Sequence, residues 1–389
     1  MKAIKYILSL LVSVVVIISC RKPYNPTIVS TDNSYLVVEG TISDGDITAI
    51  RLSKTVKVST ETKVTPLDNA TVFVEEEAGA QFQLTYNPNT RKFDSGSALN
   101  LNKTKKYRLR ITVDGKEYAS DYVPVKVNPA IDNIEFNAKP DKLEISIDTH
   151  DPANNTRYYR WDYDETWRFH ASFQSDFIVN PITKQINYRS AADQSYYCFA
   201  NDTSSTILIG STAKLTQDVV AQALITTIPF DAEKLELRYS ILVRQYAITK
   251  EEYQFWENIK KNTEQLGSIF DSQPSQLVGN IHCITAPKEP VIGYISATNV
   301  QQKRIFISNS QLPQDWYPKK PYACSIDSAL FFNPKTMANE VQNYIINSDA
   351  VPLQTITMGN IVLGYTYSSI ECSDCRIRGK VEQPPFWIP

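Results

Sequence analysis

Two arms of alternating residues, Tyr107-Arg-Leu-Arg-Ile-Thr-Val113 and Lys116-Glu-Tyr-Ala-Ser120, meet at Asp114-Gly115. Apolar and polar side chains alternate along each arm, the period of a strand with one buried face. Asp-Gly accepts the positive φ angles of a type I′ turn, whose twist matches that of the strands it joins. The pair predicts a β-hairpin. Strand-like runs precede it at 35–40 (read as ending at Gly40), 48–53, 70–75 and 80–86, a spacing that suits an all-β sandwich. A chain patterned in this way must bury sheet faces rather than helix stripes. Composition agrees, since 22 Tyr, 15 Phe and 5 Trp stand against 3 Met, and aromatic enrichment favours strands.

Val123-Pro-Val-Lys-Val-Asn-Pro129 reads as a linker. It divides the body into a β-sandwich domain over 34–127 and a larger β-rich domain over 128–389. The second opens like the first, with Ile131-Asp-Asn-Ile-Glu-Phe136, Leu143-Glu-Ile-Ser-Ile-Asp148 and Arg157-Tyr-Tyr-Arg-Trp-Asp-Tyr163. Tyr159, Trp161 and Tyr163 share one face of the last run, and a tryptophan on an early strand is typical of such sandwiches. The expected fold is mainly β: two immunoglobulin/fibronectin-like β-sandwich-type domains, the second enlarged by helical insertions. One helix is predicted near 250–266. Thr249-Lys-Glu-Glu252 is a capping box, in which the Thr hydroxyl accepts from the first turn and Glu252 reaches back. Tyr253, Trp256, Ile259 and Thr263 follow at helical spacing, a stripe expected to pack on the second sandwich. Gly267 is placed to stop the helix. A shorter helical pattern covers 217–224.

At the amino terminus, Lys2 and Lys5 precede an apolar run from Ile7 to Ile18, broken only by Ser9 and Ser13 and closed by Ser19-Cys20. Cations, an apolar core and a small residue before the cut make a secretory signal peptide over 1–19. The run is shorter than the roughly 20 residues a spanning helix needs. Ile17-Ile18-Ser19-Cys20 is similar to a bacterial lipobox, in which Cys20 receives acyl chains and becomes the mature first residue. Residues 20–33, polar and proline-bearing, then form a lipidated tether. The alternatives are an ordinary signal peptide with a chance cysteine, or an uncleaved anchor; all place the body outside the cytoplasm. Loss of the leader takes the net charge from −2 to −4. With no basic block, no nucleic-acid partner is expected. No later apolar stretch reaches transmembrane length, so the membrane contact expected is the lipid anchor.

Beyond Cys20, five cysteines remain: Cys198, Cys283, Cys324, Cys372 and Cys375. The compartment permits disulfides, and five thiols allow at most two bridges with one left over, unless a partner takes it. Cys372-Ser-Asp-Cys375 has the spacing of a redox or zinc half-site, but no second pair exists and His282 beside Cys283 gives no regular ligand spacing. Disulfides of open pairing are therefore expected, with no metal or other cofactor. The three histidines, His150, His170 and His282, fall in no metal-binding or hydrolase motif, and no glycine loop suits a phosphate. His150-Asp151 runs into Pro152-Ala-Asn-Asn155, a surface turn. No catalytic residue is assigned and no enzyme is expected.

Candidates for recognition are aromatic. Asp162, Asp164 and Glu165 lie among Trp161, Tyr163 and Trp167, a mixture like that of sugar-contacting sites. Strand alternation instead puts Trp161 and Tyr163 inside and the acids outside. Tyr163 and Trp167 are the candidate binding surface here. At the end of the chain, Pro384-Pro-Phe-Trp-Ile-Pro389 is a stiff apolar tail, and its Phe386 and Trp387 fit a groove on their own domain or on a neighbour.

Several segments together resemble a known family. They are Tyr35-Leu-Val-Val-Glu-Gly40, Tyr239-Ser-Ile-Leu-Val-Arg-Gln-Tyr246, the 252–268 helix with Phe255-Trp256, Asp271-Ser-Gln-Pro-Ser275, Gly279-Asn-Ile-His-Cys283, Pro290-Val-Ile-Gly-Tyr294, Cys375-Arg-Ile-Arg-Gly379 and the Pro-Pro-Phe-Trp tail. The family is that of the Bacteroidota lipoproteins catalogued as domain of unknown function 4249, and the resemblance spans essentially the whole mature chain. Its members are typically encoded beside TonB-dependent outer-membrane receptors. The resemblance thus implies an accessory or binding lipoprotein of a TonB-dependent transporter, serving nutrient uptake, lipid-anchored in the outer membrane and facing outward. Arg21-Lys22-Pro23 departs from the acidic residues that surface-exposed lipoproteins of that phylum often carry after the cysteine, which keeps the periplasmic face open. A stand-alone glycan- or peptide-binding envelope lipoprotein is the alternative, and the family carries over no catalytic residues. Intact-mass measurement of the native protein is expected to find acylated Cys20 at the amino terminus, with Cys20→Ala releasing the chain from membranes. An unmodified thiol or a retained leader refutes the anchor.

Overall fold

Alternation along the first part of the chain becomes β1 (Leu36–Ser43), β2 (Ile47–Lys54), β3 (Thr71–Glu76), β4 (Gln81–Asn87), β5 (Lys92–Ala98), β6 (Lys106–Val113), β7 (Lys116–Ser120) and β8 (Val123–Lys126). The computed structural model describes residues 34–56, 66–77, 79–264 and 279–388. The leader, Cys20, the 20–33 tether, Gly267 and the 271–275 motif lie outside them. The predicted hairpin is present: Val113 faces Lys116 across β6 and β7, and Asp114 and Gly115 take φ of 51° and 72°.

The order β6-β3-β4-β5-β2-β1 would leave two raw edges. It does not, because β8 pairs with the start of β6, and a two-residue strand from far along the chain, β19 (Ala297–Thr298), lies parallel between β1 and β8. Eight strands thus close into a barrel-like ring without an open edge, where the sequence suggested an open sandwich. Val123–Lys126, read as linker, is one of its strands. A further strand, β18 (Ile281–Cys283), extends β7. Leu36, Val38, Ile50, Leu52, Val72, Leu109 and Ile111 fill the ring, joined by Ile281, Ile295 and Ala297 from the returning segment. The second body predicted as 128–389 therefore lends residues to the first.

Close backbone approach explains two glycines, Gly293 against β1 and Gly40 against β2. Val38 N–H donates to Ile292 O (2.8 Å) and Ile292 N–H to Leu36 O (2.9 Å). Gly293, at φ 149°, has room for no Cβ, which would lie 2.3 Å from Val38 O. Gly40, at φ 143°, would put one 2.6 Å from Ala49 O. Glycine tolerates such backbone where other residues do not, so Gly40 sits inside β1 instead of ending it.

The second body holds β9 (Ile131–Ala138), β10 (Lys142–His150), β11 (Tyr158–His170), β14 (Tyr197–Thr203), β15 (Leu208–Ser211), β16 (Val219–Pro229), β17 (Arg238–Ala247) and β20 (Gln301–Ser308). A three-stranded sheet, β16-β10-β9, covers a second sheet ordered β14-β11-β17-β20, with β15 also on β11. Leu143, Ile145, Ile147, Tyr159, Trp161, Ile225, Ile241 and Val243 form the core between them. The predicted helix is α1 (Lys250–Glu264), whose Tyr253 ring packs 5.2 Å from that of Tyr158 on β11. The pattern at 217–224 is not helical. From Val219 onward it is β16, because pairing with β10 over eight register positions outweighs a short local helical preference.

Between β11 and β14 lies the hairpin β12 (Phe177–Val179) and β13 (Ile186–Tyr188), and the carboxy-terminal part adds β21 (Asp327–Leu330), β22 (Val351–Met358), β23 (Ile361–Ser368) and the short α2 (Ile370–Ser373). Val179 and Ile186 of the hairpin pack on Ala329, Val341 and Ile345 of this last region. Two disulfides hold it: Cys198–Cys375 ties it to β14, and Cys324–Cys372 closes its own loop. Cys283 is the thiol left over, buried in the barrel and unpaired. The described part is mainly β, and none of its helices is long and apolar enough to cross a membrane.

Asn280 is the latch of the returning segment. Its amide donates to Ile295 O and accepts from Ile295 N–H, both at 2.8 Å and both buried. Asn280→Ala strands two buried backbone groups and is expected to lower unfolding stability by about 2–4 kcal/mol. Hydrogen exchange should localise the loss to Ile295 and its neighbours. Unchanged protection there contradicts the latch.

Candidate functional site

Strand parity sorts the residues of β11 and β17 between two faces. Tyr159, Trp161, Ile241 and Val243 enter the sandwich core. Arg160, Asp162, Asp164, Arg244 and Tyr246 project the other way, toward β1 and β2 of the barrel. Between these surfaces is a cleft of about 530 Å³, with Glu39 and Arg51 on the barrel wall and Glu252 and Trp256 contributed by α1.

Most charges in the cleft are matched. Arg244 donates to Asp162 Oδ1 (2.6 Å) and grips both oxygens of Asp164 (2.6 and 2.9 Å), a planar fork-on-carboxylate arrangement. These carboxylates hold its guanidinium charged more firmly than usual, against the opposing effect of burial. Arg160 lies 4.1 Å above the Tyr246 ring and 5.1 Å from that of Trp256, positions favourable for a cation over an aromatic face.

Glu252 is the exception. It is 1 % exposed. Oε1 accepts from Trp256 Nε1 (3.2 Å) and Ser296 Oγ (3.3 Å), whereas Oε2 has no partner. Burial pushes the carboxyl up to about 6, with nearby Arg160 and the two donors pulling the other way. The predicted capping box is half present: the Glu252 N–H donates to Thr249 Oγ1 (3.2 Å). Its side chain turns inward to Ser296 instead of reaching back, because the returning barrel segment supplies a donor there. Nearly all buried polar atoms in folded proteins are paired, so an open carboxylate oxygen on a cleft wall marks a place for a ligand's donor. The Arg160 Nε–H on the same wall is also buried and unpaired.

The aromatic candidates lie elsewhere. Tyr163 donates from its hydroxyl to Thr226 Oγ1 (3.0 Å), and both its ring and that of Trp167 pack on the sandwich core. Glu165, expected outside with the other acids, shares the parity of Trp161 and Tyr163. It is buried, accepting from Tyr239 Oη (2.6 Å) and paired with Lys234. Trp387 packs edge-on against Phe199 and Phe306, a self-packed tail. Phe386, under the Arg304 guanidinium, lines a separate cavity of about 400 Å³. His150, His170 and His282 pair with Asp132, Glu236 and Asp121, away from the cleft. Among the described residues no cluster of His, Cys, Asp or Glu is arranged to hold a metal ion. Sequence reasoning missed Arg160, Arg244, Tyr246 and Glu252 as a group; the even-numbered positions of β11 were the available signal.

The family model described as domain of unknown function, DUF4249, matches residues 21–304. The chain belongs to this family. Every residue of the cleft falls inside the DUF4249 match, whereas the β21–β23 region and three of the four bridged cysteines lie beyond it. Curated proteins yield no match.

The Glu252 carboxyl gives the fold a pH signature. In the unfolded chain it titrates near 4.5, and in the fold near 6. Between these values the folded state keeps a proton that the unfolded state has released, so stability falls as pH rises through this window. The full cost, about 2 kcal/mol, stands above it. Glu252→Gln is expected to melt a few degrees above the parent at pH 7.5, with the advantage gone at pH 4.5. A variant that melts lower at pH 7.5, or by the same margin at both pH values, contradicts this.

Proposed function

We propose that this protein is a lipid-anchored outer-membrane subunit that binds a nutrient in the cleft and serves a TonB-dependent transporter. The observation that carries the binding role is the open oxygen of Glu252. A buried carboxylate kept at a stability cost is the kind of local conflict that function, rather than folding, maintains. The signal-like leader with Cys20 supports the anchor, and the family resemblance supports the transporter. The strand order β16-β10-β9 over β14-β11-β17-β20 suits a fibronectin-like sandwich, and we read the second body so.

We read an exposed apolar cluster as the surface for the partner. Phe331, Phe332, Met358 and Ile361 are exposed at one end of the β21–β23 sheet, where Met358 pairs with Ile361 and Phe331 N–H donates to Leu363 O. Apolar clusters of this kind mark protein or membrane contacts. Tagged protein drawn from its native envelope in mild detergent is expected to bring down a TonB-dependent barrel, and the double change Met358→Glu, Ile361→Glu to release it. A chain that always elutes alone removes the transporter from the proposal and favours the stand-alone binding lipoprotein.

A further inference from the structure

We propose that the cleft takes a neutral, hydroxyl-rich ligand, a mono- or disaccharide, with Glu252 Oε2 and the Arg160 Nε–H as its paired acceptor and donor. The assignment rests on reading the cleft as a ligand site and adds the ligand's chemistry.

Charge balance is the first argument. The lining carries five carboxylates, Glu39, Asp46, Asp162, Asp164 and Glu252, and four cations, Arg51, Lys92, Arg160 and Arg244. Arg244 is already saturated by two of the carboxylates, and Arg51 lies 4.0 Å from Glu39. An anion entering beside Glu252 meets a buried negative charge. A cation meets Arg160, whose charge already acts on the Glu252 carboxyl. A neutral ligand meets neither penalty.

The open valences are the second argument. The lining holds one buried acceptor without a donor, Glu252 Oε2, and two buried donors without acceptors, the Nε–H groups of Arg160 and Arg51. An ammonium group satisfies only the first and a carboxylate only the second. A hydroxyl both donates and accepts, and neighbouring hydroxyls on a sugar ring do so at adjacent positions. Polar Arg, Asp and Glu groups lie beside the half-buried Trp256 ring, so polar edges and an apolar surface stand together, as a pyranose requires. A volume of about 530 Å³ falls within the range of small-molecule pockets, roughly 300–1,000 Å³.

The test uses the full acylated chain in a sugar-free detergent, titrated calorimetrically with maltose, cellobiose, xylobiose, galactose and N-acetylglucosamine. Lysine, glutamate and phosphate form the charged panel. At least one sugar is expected to bind with a Kd of about 1 mM or tighter, and Glu252→Gln, which replaces the acceptor with a donor, to weaken it about tenfold or more. The variant's melting temperature at pH 7.5 shows that it is folded, and Trp256→Phe, checked for folding in the same way, provides a second probe of the same wall. Silence of the whole sugar panel overturns the proposal, as does sugar binding that both variants leave intact. Binding of a charged probe alone, lost in Glu252→Gln, overturns the sugar assignment while leaving the cleft a nutrient site. Recovery of the barrel partner reports separately on the transporter role.

Discussion

The barrel closes only because the chain comes back to it. After β17 and α1 have been laid down on the sandwich, residues 280–298 return to the first body, slot Ala297–Thr298 between β1 and β8, and then leave to complete the sandwich as β20. Without that insertion β1 and β8 would present unpaired backbone to solvent, the usual liability of edge strands. The return has strict local demands. Gly293 lets the backbone press on Val38, and Asn280 stands in for a missing strand partner of Ile295. Each body therefore depends on the other for completeness, and residues 36–389 behave as one compact unit.

The same constraint makes the cleft. Drawing the returning segment to the barrel brings its β1–β2 wall against the outward face of β11 and β17. Where the bodies meet, two buried polar groups have opposite fates. Gln245, fully buried, accepts from Trp161 Nε1 (2.9 Å) and donates to Pro129 O (2.9 Å) and Thr149 Oγ1 (3.1 Å), and the Asn128 amide donates to its backbone carbonyl. Every polar atom of its amide has a use, so it fixes how the linker at 127–129 enters the sandwich. Glu252 is buried to the same degree but keeps one oxygen unsatisfied. Satisfied networks specify a fold, whereas an open member is costly and needs another reason to be there.

Much of the architecture was legible in the residues. The Asp114-Gly115 hairpin, the strands β9 to β11, the inward face of Tyr159 and Trp161, and the α1 helix all follow from period and turn chemistry within a dozen residues. Failures came where distant partners overrule local pattern. Gly40 looked like a strand end, but its role is set by contact with Ala49. Val123–Lys126 looked like a linker because its pairing partner β19 lies some 170 positions away. Residues 217–224 carried a helical pattern that β10 overrode. Glu165 was misplaced for a different reason: a simple parity count along β11 puts it on the buried side with Trp161.

What this sequence determined alone is local and periodic: a chain of strands with defined faces, a capped helix, and four bridgeable cysteines with one to spare. These follow from short-range sterics, alternation and side-chain chemistry, which act between near neighbours. Ring closure, the pairing of Cys198 with Cys375 and Cys324 with Cys372, and the meeting of Arg160, Arg244 and Glu252 in one cleft were decided only in three dimensions. Their partners are separated by dozens to well over a hundred residues, and no periodicity records which distant groups a folded surface will bring within hydrogen-bond reach.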